Sequence, residues 1–101
     1  MNKLVRLAKL FSNINRLKIF ALILRDKKVC VCEICDSLEL SQPLVSRHLK
    51  FMREEEVLNC KKEKKWVVYF LNEEYRASLQ FWIDETQKYT HILPELIACK
   101  K

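Results

Sequence analysis

Hydrophobic residues recur at intervals of three and four along much of the chain, which is the spacing of one face of an α-helix. This pattern predicts a short amphipathic helix over residues 1–11 and a second helix over residues 14–24, with a charged exit at residues 25–28. Ser12 and Asn13 interrupt the two helices, and either side chain can cap the second. Neither helix can bury its apolar face alone, so we expect them to pack on each other and on a later element.

Two further helices follow, one over residues 31–38 and one that continues to about residue 53. Ser41 is a good N-cap for the fourth helix. Pro43 falls in its first turn, where the missing N–H costs nothing. Three apolar positions of this helix follow the i, i+4, i+7 rule and are predicted to face the core: Val45, Leu49 and Met52.

The opposite face of the fourth helix is polar and basic, with Arg53 at its far end. Gln can pair with adenine, Arg with guanine, and Ser with base edges or phosphate. A helix of this composition after a short turn is typical of the recognition half of a helix-turn-helix, although an ordinary solvated face is the alternative. The residues predicted to contact DNA are Ser41, Gln42, Ser46, Arg47 and Lys50.

A β-hairpin is predicted next, with strands over residues 57–60 and 66–71, which are rich in β-forming residues. Beside a helix-turn-helix such a hairpin is a wing. Its lysines are expected at the tip, where contact with phosphates would add salt-sensitive affinity, not base choice. They are Lys61, Lys62, Lys64 and Lys65. The chain has no glycine, which favours a loose tip over a tight two-residue turn. A solubilising loop is the alternative.

The pattern predicts a long last helix over residues 72–101, capped by Asn72 and kinked or restarted just before Pro94. Its apolar stripe exceeds what so small a domain can cover, which favours a homodimer. We expect pairing with the first helix across a two-fold axis. The alternative is that the helix covers only its own domain.

Composition indicates a small basic protein. Its 101 residues fit one domain, residues 1–101, with N- and C-terminal dimerisation helices and one modest core. The net charge of +6 is common among binders of nucleic acid or anionic surfaces. No apolar run approaches the roughly 18 residues of a membrane span, and no secretion signal is recognisable. We therefore expect a soluble, cytoplasmic protein with no membrane partner.

Three of the five cysteines lie close together, at Cys30, Cys32 and Cys35. Disulfides are rare in the cytosol, so metal or redox chemistry is the better expectation for this cluster, in a segment predicted to be an exposed, charged turn. At about 100° per residue, a regular helix cannot direct all three thiols to one ion. Either the chain before Cys32 is non-helical, or binding unwinds the first turn. Cys60 and Cys99 stand alone, and we interpret each as a small filler.

Two other interpretations of the cluster are weaker. Structural zinc needs a fourth ligand, and His48, beside Arg47 on the recognition helix, is expected to contact DNA or solvent instead. A dithiol redox enzyme using Cys32 and Cys35 would need a βαβ scaffold, and no strand is predicted before the motif. We predict no enzyme activity and no catalytic residues.

Taken together, the chain resembles the ArsR/SmtB family of winged-helix metal-sensing repressors. The resemblance covers nearly the whole chain and rests on three stretches: LFSNINRLKI at 10–19, LSQPLVSRHLK at 40–50 and KWVVY at 65–69. It implies a mainly α fold with a two-stranded β-hairpin wing, that is, a winged helix-turn-helix. It also implies a homodimer that binds double-stranded operator DNA and dissociates from it when the inducer binds. Lys64 stands where the family often has a glycine before Lys-Trp.

The cysteine pattern is similar to the arsenite-responsive branch of that family. This resemblance implies that Cys30, Cys32 and Cys35 bind As(III) or Sb(III) as inducer, that no cofactor is required, and that an arsenic or antimony resistance operon is controlled. The family's cadmium and lead sensors take further thiolates from an N-terminal extension, and no cysteine precedes Cys30 here. The family's zinc sensors use carboxylates and histidines on the last helix. Here Asp84 is followed two positions later by Thr86, and His91 lacks the paired histidine of that pattern. A repressor of Cd(II), Pb(II) or thiol oxidation remains the alternative, with Cys60 or Cys99 of a partner chain joining the site.

Overall fold

The structure, a computed structural model, describes residues 1–97. Its five α-helices are α1 (Asn2–Phe11), α2 (Ile14–Asp26), α3 (Val31–Leu38), α4 (Gln42–Glu54) and α5 (Arg76–Gln87). Its three strands are β1 (Val29–Cys30), β2 (Leu58–Glu63) and β3 (Trp66–Leu71). Two short 3₁₀ helices, Glu73–Tyr75 and Thr90–Ile92, flank α5. Within residues 1–97, no helix is both long enough and apolar enough to cross a membrane.

Helix α2 forms the centre of the molecule. Asn13 caps it by accepting hydrogen bonds from the backbone N–H of Asn15 at 2.9 Å and of Arg16 at 3.2 Å, so the predicted interruption before α2 is confirmed. The helix packs against α1, α5 and β3, and Phe20 at its middle is fully buried. Phe11 at the end of α1 stacks on Trp82 of α5, with ring centroids 4.8 Å apart. These contacts build the layer against which α3 packs, and α4 packs in turn on α3 and β2.

Helices α3 and α4 form the predicted helix-turn-helix. Ser41 Oγ accepts a hydrogen bond from the Leu44 backbone N–H at 3.4 Å, and Pro43 lies in the first turn of α4. Glu39 makes the turn in the left-handed region, at φ 55° and ψ 46°. The three residues predicted to face the core are all fully buried, which confirms the orientation of the helix: Val45, Leu49 and Met52.

The sheet has three antiparallel strands in the order β1-β3-β2. The hairpin of β2 and β3 is the predicted wing. The third strand, β1, pairs Val29 with Tyr69 and Cys30 with Val68. The prediction that no strand precedes the cysteine motif is therefore wrong, because two residues are too few to give a strand pattern. β1 is antiparallel to its neighbour, so it does not supply the parallel βαβ unit of a dithiol oxidoreductase.

The wing turn is tight. Glu63 pairs with Trp66, so Lys64 and Lys65 alone make the turn, and the predicted loose tip is wrong. Lys64 takes the left-handed conformation, at φ 57°, in place of a glycine. The continuous pairing of β2 with β3 offsets the steric cost of that conformation, which is of order 1 kcal/mol. Lys61 and Lys62 lie within β2 and not at the tip.

The C-terminal prediction is correct only for its first half. Asn72 accepts a hydrogen bond from the Glu74 N–H at 3.2 Å, which confirms the cap, but α5 ends at Gln87. No helix reaches Pro94, so the predicted kink there is wrong. The run after Gln87 is rich in aromatic and β-branched residues, which have low helix propensity, and Pro94 disfavours the helical conformation of the residue before it. The predicted continuation over residues 98–101, with Cys99, lies outside the described residues.

Candidate nucleic-acid interface and sensor site

Helix α4 presents its polar face to solvent. The buried and exposed sides of this helix are separated as the periodicity predicts. The exposed side carries all the residues predicted for DNA contact, together with Arg53: Ser41, Gln42, Ser46, Arg47 and Lys50. A helix with amide, hydroxyl and cationic groups on one open face can enter a major groove and read base edges.

The four wing lysines are exposed but occupy different positions. Lys64 and Lys65 form the tip, where their charges can meet phosphates. Lys61 Nζ lies 3.1 Å from Glu63 Oε2, and Lys28 Nζ lies 3.0 Å from the same oxygen. These lysines hold the pKa of the Glu63 carboxyl below its usual value, Lys28 most strongly and Lys61 next. The charge of Lys61 is therefore partly compensated within the wing.

Arg16 supports α4 from behind, and the periodicity of the sequence gave no sign of it. Its Nε donates to the Leu10 carbonyl at 2.8 Å, and its Nη2 donates to the Lys9 carbonyl at 3.3 Å. The guanidinium lies 4.8 Å from the centroid of the Phe51 ring. One side chain thus joins the end of α1, the start of α2 and the inner side of α4. Such a link depends on tertiary contacts, which periodicity does not show. Arg16 does lie within the family-like stretch at residues 10–19.

His48 lies behind the recognition face, so the prediction that it contacts DNA or solvent is wrong. Its side chain is buried, and Nδ1 lies 3.4 Å from Arg16 Nη1. Nε2 is buried and has no hydrogen-bond partner within the described part of the chain. Burial, then Arg16 and Arg47, lower the pKa of His48. These surroundings favour the neutral imidazole. The signal for its inward orientation was its position three residues after Val45 and four before Met52.

A second link joins α1 to the end of α4. Arg6 Nε donates to Glu55 Oε1 at 2.7 Å, and Arg6 Nη2 donates to Glu55 Oε2 at 3.0 Å. This two-bonded pair lowers the pKa of the Glu55 carboxyl, mainly through the hydrogen bond from Arg6. Because Arg6 is largely exposed, the pair contributes little stability. The two bonds link α1 to Glu55, the residue that follows α4.

The cysteine segment begins outside the helix. Cys30 belongs to β1 and is the N-cap of α3, with extended backbone at φ −92° and ψ 165°. Its Sγ lies 3.6 Å from the Sγ of Cys32, a non-bonded distance. The structure is nearest to the first of the two alternatives derived from helical geometry, because Cys30 lies outside the helix and α3 begins only at Val31. This arrangement brings two of the three predicted ligands side by side.

The segment is less exposed than predicted. Cys30 is 2% exposed and Glu33 is 4% exposed, because the Glu33 carboxylate folds back to accept the backbone N–H of Cys30 at 3.0 Å. This is a capping box, in which a residue at the third helical position satisfies the N-cap backbone. The Glu33 carboxylate, which the sequence suggested would face solvent, therefore stabilises the N-terminus of α3.

The three thiols do not form a ready ligand set. Cys32 is disulfide-bonded in the structure, so the expectation that every cysteine is reduced is not met. Whether paired thiols oxidise is decided by the redox compartment and not by the sequence. Burial, and then the charge of Asp36, raise the pKa of the Cys35 thiol. Among residues 1–97 no group of three or more His, Cys, Asp or Glu side chains is arranged to hold a metal ion. Cys60, in β2, is a free, half-buried thiol.

The exposed basic helix, the wing beside it and the capped helix-turn-helix define a winged helix-turn-helix DNA-binding protein. A family profile described as "Bacterial regulatory protein, arsR family" matches residues 14–59. An arsenical resistance operon repressor of Escherichia coli is 38% identical over 81 residues, which cover 80% of this chain and 69% of that protein. The chain belongs to the arsR family of DNA-binding transcriptional regulators.

Other relatives show how varied this family is. An arsenic resistance transcriptional regulator of Pseudomonas putida is 38% identical over 79% of this chain and 59% of that protein. The solved structure of reduced HlyU from Vibrio cholerae superposes with a TM-score of 0.68 at 36% identity, covering 79% of this chain and 84% of that one. A cadmium resistance regulatory protein of Listeria innocua is 33% identical over 62% of this chain and 53% of that protein. The family therefore fixes the fold and the class of protein but not the inducer.

Proposed function

We propose that this protein is a homodimeric repressor of an arsenic or antimony resistance operon, released from operator DNA when As(III) or Sb(III) binds Cys30, Cys32 and Cys35. The observation that carries the proposal is the placement of Cys30 and Cys32, with their Sγ atoms 3.6 Å apart, at the start of α3. That helix leads through a short turn directly into the recognition helix. The similarity to two arsenic resistance regulators supports the choice of inducer. Because operator DNA lies in the bacterial cytoplasm, we expect the protein to act there.

DNA binding uses the open face of α4 for base contacts and the wing for phosphates. Gln42 and Arg47 suit bidentate pairing with adenine and guanine. Lys64 and Lys65 supply charge at the tip of the wing. Two such helices must be held about one helical turn of DNA apart to occupy successive major grooves. A repressor of this kind is therefore a dimer.

The dimer surface is an apolar groove beside α5. It has a volume of about 830 Å³, and several side chains on and around it are large, apolar and exposed: Ile14, Phe81, Tyr89 and Ile92. On the same molecule, Leu4 and Val5 leave an apolar face of α1 uncovered. Exposed apolar area of this kind marks an interaction surface. A second copy that inserts its α1 face into the groove would cover both surfaces at once, as two-fold symmetry allows.

Inducer binding follows from thiol chemistry. Arsenous acid, As(OH)₃, condenses with three thiols, so three As–S bonds replace three As–O bonds and the thiol protons leave with the hydroxides as water. The product is neutral and trigonal, and it needs no fourth ligand. All three cysteines must be reduced, so the disulfide at Cys32 has to be reduced first by thiol–disulfide exchange with a dithiol reductant, which becomes a disulfide itself. Drawing the thiols together then distorts the start of α3 and re-aims α4.

A repressor of Cd(II) or Pb(II) is the second candidate, favoured by the cadmium resistance relative. The two kinds of inducer differ in their proton balance. A divalent cation displaces a proton from each thiol, so its binding strengthens by about tenfold per pH unit for each thiol. Because the pKa of the Cys35 thiol is raised, this thiol is protonated at neutral pH, and a divalent cation must still displace its proton there. Arsenous acid consumes the protons it displaces, so its binding is nearly independent of pH.

A reporter gene under the DNA upstream of this chain's own gene, in cells lacking other arsenic regulators, tests the proposal. We expect low expression that rises with arsenite, no induction with Cys32→Ser, and constitutive expression with Arg47→Ala. Cys60→Ser, which removes a thiol outside the cluster on the opposite edge strand of the sheet, is the matched control and should remain inducible. Induction by cadmium and not by arsenite would transfer the proposal to the second candidate. High expression without arsenite in cells carrying the parent protein would reject operator binding.

A further inference from the structure

We propose that a reversible disulfide at Cys32 prevents induction: the oxidised repressor binds operator DNA and does not respond to arsenite. The inference rests on the proposed function and adds a redox input to the same cysteine. It differs from a repressor that senses thiol oxidation as its inducer, because oxidation here preserves DNA binding instead of ending it.

The disulfide removes one ligand from the arsenite site. Cys32 is disulfide-bonded, whereas Cys30 and Cys35 are thiols. Three As–S bonds need three thiols, and a sulfur already bonded to another sulfur has no proton to give to a leaving hydroxide. The oxidised cluster therefore offers two ligands and not three. Arsenite binding by the full cluster and the disulfide at Cys32 are mutually exclusive.

The DNA-binding surface is complete in the disulfide-bonded structure. Ser41 caps α4 through the Leu44 N–H, and this helix has its apolar side buried and its polar side open. The wing strands are paired up to the two-residue turn. The open helix face and the formed wing therefore coexist with the oxidised Cys32, so DNA binding does not require this cysteine to be a thiol.

The second sulfur of the disulfide comes from outside the cluster. Cys30 and Cys35 are thiols, and so is Cys60 in β2. The sequence has one further cysteine, Cys99, which lies outside the described residues. Cys99 is therefore the cysteine to test as the partner of Cys32 within this chain.

The C-terminal segment is attached to the helix that carries Cys32. The Ile97 N–H donates to Ser37 Oγ at 2.8 Å, and Ser37 is a buried residue of α3. Ser37 lies five residues after Cys32, which is about 7.5 Å along a helix. Two residues of chain span up to about 7 Å, and Cys99 follows Ile97 by two residues. A cysteine at this position can therefore reach Cys32.

Oxidation by a hydroperoxide balances without a cofactor. The Cys32 thiol attacks hydrogen peroxide, becomes a sulfenic acid and releases one water, and the second thiol attacks this sulfur and displaces another water. Two electrons pass from the two thiols to the peroxide. A dithiol reductant reverses the reaction by exchange and becomes a disulfide itself. Because Cys32 is only half-buried, both reagents have access to it.

Fluorescence anisotropy of the full chain, on DNA from upstream of its own gene, tests this redox control. The protein is used reduced, oxidised with one equivalent of hydrogen peroxide, and oxidised then reduced again with a dithiol, each desalted before arsenite is added. Oxidised and reduced protein should bind DNA equally tightly. Arsenite that fully releases the reduced protein should release none of the oxidised protein, and the protein that was reduced again should recover the response.

Two variants identify the second sulfur. Cys99→Ser keeps all three predicted ligands, and after the same peroxide treatment it should still be released by arsenite. Cys60→Ser is the matched control, because it removes a cysteine that is a thiol in the structure, and it should become unresponsive on oxidation like the parent protein. Peptide mapping by mass spectrometry verifies the disulfide in each protein.

The outcomes separate this inference from the function on which it rests. If the reduced protein responds to arsenite, three results would overturn the redox control alone: oxidised protein that leaves DNA without arsenite, arsenite release with the Cys32 disulfide intact, or peroxide treatment that forms no disulfide at Cys32. An equal loss of response in oxidised Cys99→Ser would also overturn it. Reduced protein that stays on DNA at saturating arsenite would overturn the proposed function, and the redox control with it.

Discussion

His48 contributes to the recognition helix through its neutral form. The pKa of this buried imidazole is lowered, by burial and then by Arg16 and Arg47. A histidine whose pKa is lower when folded than when unfolded stabilises the fold above the unfolded value, 6.5. That stability is lost as the pH falls below it. The effect is opposite to that of a solvated histidine on a DNA-binding face, whose protonation would favour binding.

We therefore expect the free energy of unfolding to fall between pH 7 and pH 5 more steeply in the parent protein than in His48→Gln, which cannot titrate. Urea denaturation at matched ionic strength measures both slopes. His91→Gln, at an exposed position, controls for the loss of a histidine. Parallel curves for the parent protein and His48→Gln would show that folding does not lower the pKa of the imidazole.

Glu39 has an unfavourable backbone conformation in the middle of the helix-turn-helix. At φ 55° and ψ 46° its Cβ crowds the backbone, and glycine is the usual residue at this position after a helix. Glu39→Gly should raise the free energy of unfolding by about 1 kcal/mol, less the entropy that glycine adds to the unfolded chain. Glu39→Ala keeps the Cβ and should gain almost nothing. Equal effects of the two substitutions on urea denaturation would mean that the side chain, not the backbone, matters here.

The secondary-structure elements that could be predicted are those determined by a local sequence pattern. The limits of α3 and the core-facing side of α4 follow from helical periodicity, a serine cap and Pro43. β1 could not be predicted, because a two-residue strand depends on residues far away in the chain. The inward orientation of His48 could have been predicted, because it lies three residues after Val45 and four before Met52, on the same face of the helix. The length of the C-terminal helix was overestimated, because apolar residues keep their helical spacing after Gln87. The helix ends there because the residues that follow have low helix propensity.

The wing can be tested separately, because the lysines at its tip are expected to contact DNA phosphates through their charge. In Lys64→Gln and in Lys65→Gln, the slope of log affinity against log salt concentration should decrease by about one for each phosphate contact removed. Preference among operator variants should stay the same. Lys88→Gln, beyond the end of α5, should leave the slope unchanged. Fluorescence anisotropy over a series of salt concentrations measures all three, and an unchanged slope for both tip variants would remove the wing from the interface.

For the whole molecule, the uncovered apolar groove predicts assembly. Phe81→Glu places a charge in the groove and should convert the dimer into a monomer in sedimentation experiments. Affinity for a two-half-site operator should fall at least about 100-fold, because the second recognition helix is lost. Gln87→Glu makes a similar charge change at an exposed position on the same helix and should remain dimeric. A Phe81→Glu protein that sediments like the parent would place the dimer surface elsewhere.

The most direct test of the central claim is arsenite-dependent release from DNA. Reduced protein would be bound at fixed salt to a labelled fragment from upstream of its own gene and titrated with arsenite, with fluorescence anisotropy as the readout. We predict full release near one arsenite per cysteine cluster, abolished by Cys32→Ser and retained by Cys60→Ser. Tight, specific binding that persists at saturating arsenite, while the arsenic adduct is visible by mass, would contradict the claim that this cluster controls DNA binding.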